Sequence, residues 1–203
     1  MCPRPYSLGK RKEASERIRT KVVDAARKLL MARNGLTEFN MESVARKAGV
    51  TRLTVYNQFG SKIGLLEHVY DDIARSGGIA DRLLAAFEKS DPMDCLDTVV
   101  EAFIGFWDAE RLALRRLRSM AVLNPDFRGV TERDKWRRNA ISTALARVMD
   151  HRGQAMARFQ ETLDTVMMLT SFESFDTLAQ NGTPVPKIVE QIRSLIHMTL
   201  GKD

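Results

Sequence analysis

The stretch 40–66, N-M-E-S-V-A-R-K-A-G-V-T-R-L-T-V-Y-N-Q-F-G-S-K-I-G-L-L, constrains the fold more than any other part of the chain. Asn40 and Thr51 each precede a short periodic run, the position that helix-capping side chains favour. Gly49 between them supplies the backbone freedom that a tight turn needs. Met41, Val44, Ala45 and Ala48 form the inward face of the first run, and Val55 and Phe59 that of the second. The pattern is two short helices joined by a tight turn, with hydroxyl, amide and aromatic groups left on the outside of the second.

The remainder reads as helix throughout. Ile18, Val22, Ala25, Ala26, Leu29 and Leu30 recur at helical spacing from Ser15, and Asn34-Gly35 stops them. Residues 1–14, with Pro3, Pro5, Arg4, Lys10, Arg11 and Lys12, read as a flexible basic arm. A helix from Ser61 meets Gly77-Gly78, where it either breaks or bends. Further helices follow to Phe87 and over about 92–108, 111–120, 127–150, 154–180 and 185–200, with Asn181-Gly182-Thr183-Pro184 as a stop-turn-start signal. The expectation is an all-α chain: the arm over 1–14, a three-helix domain over 15–62 with the helix-turn-helix at 40–59, and an all-helical bundle over 63–203.

Charge separates the two parts. Residues 1–62 hold 14 Lys/Arg against 5 Asp/Glu, and residues 63–203 hold 18 against 21. A basic segment carrying a helix-turn-helix, beside a near-neutral remainder, is the electrostatic footprint of double-stranded DNA binding. A short helix in the major groove reads base edges with its N-terminal residues while its neighbours hold phosphates. Arg52 has the donors for guanine, and Asn57 or Gln58 those for adenine. The Thr54 and Tyr56 hydroxyls suit phosphate oxygens, and Lys62 opens the next helix, whose free N–H groups also attract phosphate.

No apolar run reaches the length of a membrane span, and the N-terminus lacks an apolar signal core. Cys2 and Cys95 lie far apart, which suits a reducing, cytoplasmic setting. His68, His151 and His197 are isolated, so no metal, cofactor or catalytic constellation is expected and the chain does not read as an enzyme.

A-A-R-K-L-L at 25–30, Gly35, V-A-R-K-A-G-V at 44–50, T-V-Y-N-Q-F at 54–59 and S-K-I-G-L-L at 61–66 resemble the DNA-binding domain of the TetR family of bacterial repressors. The likeness covers about residues 15–70. It implies about nine helices: three for DNA binding, then a ligand-binding and dimerisation bundle. It implies a homodimeric repressor on a pseudo-palindromic operator, released by a small-molecule effector. Carried to matching positions, it has Thr54, Tyr56 and Lys62 holding phosphates while Thr51, Arg52, Leu53 and Asn57 face the groove. Leu53 stands where the family often has Gly or Pro, and Asn57-Gln58 replaces an aromatic-His pair. The same resemblance would place the basic helix carrying Arg111, Arg115, Arg116 and Arg118 near the DNA-binding domain; a solvated charged face is the plainer reading.

For the bundle, Phe103, Trp107, Met120, Trp136, Met149 and Phe172 are candidates to line a cavity for a mainly apolar ligand. Plain core is the competing reading for each. On the last helix Ile188, Ile192 and Leu195 form one apolar stripe and Val189, Ile196 and Leu200 another, too wide for one buried side. A second apolar face means packing in the middle of a bundle or against another subunit; the resemblance implies a dimer through the last two helices, which makes Leu163, Met167, Phe175, Ile192 and Leu195 candidates for its interface. Two rival functions remain open: an effector-independent DNA-organising protein with the same DNA-binding domain, and an all-helical enzyme or carrier.

Overall fold

The computed structural model describes residues 8–151 and 158–201. Among them there are twelve helices and no strand. The first, α1, spans Leu8–Leu30 and begins seven residues ahead of the expected start at Ser15. Lys, Arg, Glu and Ala, which dominate residues 10–14, are strong helix formers, so their charge did not keep them out of the helix. The rest of the expected arm, residues 1–7, lies outside the described residues. A single turn, α2 (Gly35–Glu38), was not anticipated.

The helix-turn-helix is α3 (Met41–Ala48) and α4 (Arg52–Phe59). The Asn40 side chain accepts from the N–H groups of Glu42 at 3.1 Å and Ser43 at 2.9 Å. Gly49 has φ 68°, a left-handed conformation that costs a glycine nothing, and its N–H closes α3 onto Ala45 and Arg46. Thr51 Oγ1 accepts from Thr54 N at 3.1 Å. Met41, Val44, Ala45, Val55 and Phe59 are buried as the pattern required, whereas Ala48 is only partly covered.

Two compact units result. One gathers the chain up to Asp72 with Arg115–Gly129, the other Ile73–Leu114 with the chain from Val130. Helices α5 (Lys62–Ser76) and α8 (Arg111–Leu123) each supply residues to both. The division thus falls inside α5 rather than between 62 and 63. Its first part belongs with α1 and α4: His68 packs edge-on to Phe59 at 5.2 Å and meets the Arg19 guanidinium, and Arg27 pairs with Asp72 at 3.4 Å. Within the first unit Arg116 donates to the Leu30 and Ala32 carbonyls at the C-terminal end of α1. A guanidinium there satisfies orphan carbonyls and complements the helix dipole. Arg116 is thus a packing residue, not part of a solvated charged face.

In the second unit α6 (Ile79–Phe87), α11 (Phe172–Gln180) and α12 (Val185–Thr199) pack on α7 (Pro92–Ala109). On α7 Leu96, Val99, Val100, Phe103, Ile104, Phe106 and Trp107 are all buried. Helix α9 is Gly129–His151 and α10 is Phe159–Leu169. The single helix expected over 154–180 is therefore two within its described part. Thr170 turns its hydroxyl back onto the Val166 carbonyl at 2.7 Å, and Ser171 caps α11 by accepting from Ser174 N at 3.1 Å. Hydroxylated side chains next to one another favour such local bonds over the middle of a helix. Residues 154–157 lie outside the described residues.

At Gly77-Gly78 the chain breaks rather than bends. Gly78 has φ 64° and ends the run between α5 and α6. Gly77 has a different reason: a Cβ there would lie 2.6 Å from the buried Phe106 ring. Gly77→Ala should lower stability by about 1–3 kcal/mol through overpacking, read as a drop in the urea midpoint without a change in slope. An unchanged midpoint would mean that Phe106 can move aside freely.

Candidate nucleic-acid interface

Helix α4 hangs from its core by two side chains, Val55 and Phe59, which are 0% and 6% exposed. Every other position on it is exposed or half-exposed. Thr51, Arg52, Leu53, Tyr56 and Asn57 are exposed, Thr54 is half-buried, and Lys62 is exposed at the start of α5. All seven anticipated DNA-contacting residues thus sit on or beside one helix with their side chains wholly or partly accessible.

They do not form one uniform face. The Arg52 guanidinium lies over the Tyr56 ring, 5.3 Å from its centroid, and reaches the Tyr56 hydroxyl at 3.4 Å. The hydrogen bond to Tyr56 and the phenol's charge raise the Arg52 pKa above its ordinary value. Arg52, expected to reach for guanine, is turned along the helix toward α3. There Ser43, Arg46, Arg52, Tyr56 and Lys62, with Glu42, line an open depression of ≈ 580 Å³. Three cations face one carboxylate in it. Lys62 lies 5.6 Å from the centroid of the Phe39 ring, which steers it toward that depression. A lysine in the first turn of a helix opposes the macrodipole, an arrangement that an anion would relieve. Arg46 and Ser43 escaped the reading of the sequence. The signal was a cation one turn ahead of Gly49, but only the packing of α3 against α4 brings it beside Lys62.

The other flank of α4 is turned to α1. Gln58 donates to Ser15 Oγ at 3.0 Å and so serves the domain's own packing. Thr51 Oγ1, besides capping α4, lies 2.8 Å from Thr54 Oγ1. The two hydroxyls are engaged with each other.

The candidate ligand residues divide. Phe103, Trp107 and Phe172 are buried in the second unit with neighbouring rings at 5.8–6.1 Å, and Trp107 Nε1 donates to the Thr170 carbonyl at 3.0 Å. Trp136 stands at the edge of this cluster, 44% exposed and edge-on to Phe103 at 6.1 Å. Met149 is buried on α9. Met120 is buried on α8 and belongs with the first unit, whereas the other five belong with the second. Arg137, 5% exposed, donates to Thr170 Oγ1 at 2.8 Å beside the aromatic cluster. Cys95 is buried and burial pushes its thiol up, which keeps it protonated beside Arg147 at 3.3 Å.

The candidate dimer residues also divide. Leu163, Phe175 and Ile192 are buried within the chain, and Met167 is half-buried. Phe175 has Arg111 over its ring at 5.8 Å, and Arg111 pairs with Asp176 at 2.7 Å. Ile188, Ile192 and Ile196 make the inward stripe of α12, so the stripe runs at four-residue spacing and excludes Leu195. What remains outside is Met168, Leu195 and Met198, 61%, 44% and 56% exposed. Leu169, Leu178, Leu195 and Met198 share an open depression of ≈ 620 Å³ across α10, α11 and α12.

Among known proteins, residues 22–69 match the family model described as bacterial regulatory proteins, tetR family. Over 50 residues the chain is 45% identical to the HTH-type transcriptional regulator AlkX of Mycobacterium tuberculosis. That match takes in 25% of this chain and spans 23% of the relative's length. A putative TetR-family transcriptional regulator from Rhodococcus sp. superposes with a TM-score of 0.71 at 19% identity, over 91% of this chain and 100% of that one. The transcriptional regulator FadR from Bacillus subtilis, solved in complex with stearoyl-CoA, superposes with a TM-score of 0.68 at 16% identity, over 87% of this chain and 96% of that one. At these identities the likeness is one of fold.

Proposed function

We infer the function of this chain from its first domain: it carries the helix-turn-helix of the TetR family of bacterial regulatory proteins, and its fold follows that family over most of its length. It is a transcriptional regulator that binds double-stranded DNA as a homodimer and is released from a pseudo-palindromic operator by a small, mainly apolar ligand. The observation that carries the DNA-binding part is the accessible face of α4 flanked by Arg46, Arg52 and Lys62. No helix among the described residues is long and apolar enough to cross a membrane.

The affinity for duplex DNA should fall steeply with salt. Lys62→Ala should weaken every sequence alike and lower the slope of log K against log salt by about one, as expected for one lost phosphate contact. Fluorescence anisotropy on labelled duplexes across a salt series reads both, and an unchanged slope would remove Lys62 from the interface.

Dimerisation through α10, α11 and α12 is supported by the apolar residues left outside on them. Exposed contiguous apolar surface of this kind marks association sites. Light scattering should give twice the chain mass, and Met168→Asp with Leu195→Asp should give the monomer without loss of helix. A monomeric parent protein at micromolar concentration would defeat this reading.

The effector part is supported by the aromatic cluster around Trp107 and by the FadR neighbour, itself solved with stearoyl-CoA. The effector-independent reading draws on the same cluster, whose rings pack against one another. Titration of stearoyl-CoA, followed by the fluorescence of Trp107 and Trp136, decides between them. Ligand and operator should antagonise each other by one common factor, roughly 5–150-fold. Equal ligand affinity with and without operator would leave the effector-independent reading standing.

A further inference from the structure

We propose that Leu53 and Asn57 are the base readers of this chain, Leu53 against a thymine methyl and Asn57 against an adenine edge, and that Arg52 holds a phosphate instead. The proposal rests on the regulator reading and sharpens it to specificity.

The geometry follows from which way α4 is turned. Successive helical residues advance by about 100°. Val55 and Phe59 define the inward direction, because they alone on α4 are buried. Leu53 and Asn57 point about 160° away from them, straight out of the domain. Arg52 and Tyr56 lie about 60° from the inward direction on the α3 side. Thr54 and Gln58 lie about 100° from it on the α1 side. A helix seated in a groove presents its outermost stripe to the base edges and its flanks to the two backbones. The contacts agree with this division. Arg52 is folded over Tyr56 into the depression with Arg46 and Lys62, and Gln58 is bonded to Ser15. Neither flank residue is turned outward.

The outermost stripe has a definite chemistry. Leu53 is 68% exposed, an isobutyl group held in water on a helix that has no apolar partner for it on that face. An apolar side chain in the major groove finds one apolar feature, the thymine 5-methyl. Asn57 is exposed, and among the described residues its amide makes no hydrogen bond. It is also not a cap: α4 runs on to Phe59 and is closed by the Gly60 N–H on the Tyr56 carbonyl at 2.8 Å. An asparagine amide free in both donor and acceptor matches the adenine edge. Four residues of helix separate the two side chains by about 6 Å, and base pairs rise by about 3.4 Å, so they address positions within about two steps of each other.

The experiment is selection of bound duplexes from a randomised pool with the full chain, followed by binding of single-position variants of the selected sequence. The selected half-site should hold a thymine and an adenine within two steps. Replacing that thymine by deoxyuridine removes the methyl alone and should weaken the parent protein about fourfold. Leu53→Ala should bind the two duplexes equally. Asn57→Ala should lose roughly 5–150-fold in preference for the adenine. Arg52→Ala should select the same sequence with uniformly weaker binding and a lower salt slope. All three side chains are exposed, and circular dichroism of each variant confirms its helix content. The proposal is overturned if deoxyuridine costs the parent protein nothing, or if Arg52→Ala erases a guanine from the selected sequence. A pool that yields no preferred sequence overturns it together with the regulator reading, whereas the first two outcomes leave that reading intact.

Discussion

The burial of Val55 and Phe59 decides what the rest of the first domain presents to its surroundings. Helix α4 has only eight residues and little polarity contrast around its circumference. Two anchors on one side are enough to set its rotation, because a helix that short has no other apolar side chains inside. Once they are seated on α1 and α3, the positions of Arg52, Tyr56, Leu53 and Asn57 follow from helical geometry. The caps make this possible. Asn40 starts α3, and Gly49 and Thr51 end it and start α4 within three residues, so the two axes cannot drift independently.

The second unit is organised differently. Its central helix, α7, is buried along most of its length and carries a cluster of aromatic rings. Two polar groups brought into this interior are tied to one residue: Trp107 gives its N–H to the Thr170 carbonyl, and Arg137 donates to the Thr170 hydroxyl. Both bonds converge on the residue at which α10 ends. The break between α10 and α11 is therefore an anchored feature of the core, and it turns Met168 outward while Phe172 and Phe175 go in.

Much of this was legible in the residues. The caps, the left-handed glycine and the inward faces of α3 and α4 are local, and their chemistry operates over three or four residues. The helical spacing of the apolar residues on α7 showed for the same reason, although it left cavity lining and plain core both open for Phe103 and Trp107. Other features were not legible because they depend on partners distant in sequence. Arg116 read as part of a charged face, yet it closes the C-terminal end of α1, 86 residues earlier. Ile192 and Leu195 read as one stripe, yet α12 buries at four-residue spacing and leaves Leu195 outside. Met120 read with the aromatic cluster, yet α8 carries it into the other unit.

The sequence by itself determined that the chain is helical, that it opens with a helix-turn-helix, and that the residues around that motif are basic. Periodicity, caps and net charge are properties of neighbouring residues, so they need no fold to be read. Only the tertiary structure decided which way each member of that set is turned. In the sequence Arg52 offers the donors for guanine and Asn57 those for adenine, and neighbouring residues do not say which way either is turned. The packing of α4 on α1 and α3 turns one along Tyr56 toward Lys62 and the other straight outward. A side chain's reach depends on the rotation of its helix, and that rotation is set by contacts which lie elsewhere in the chain.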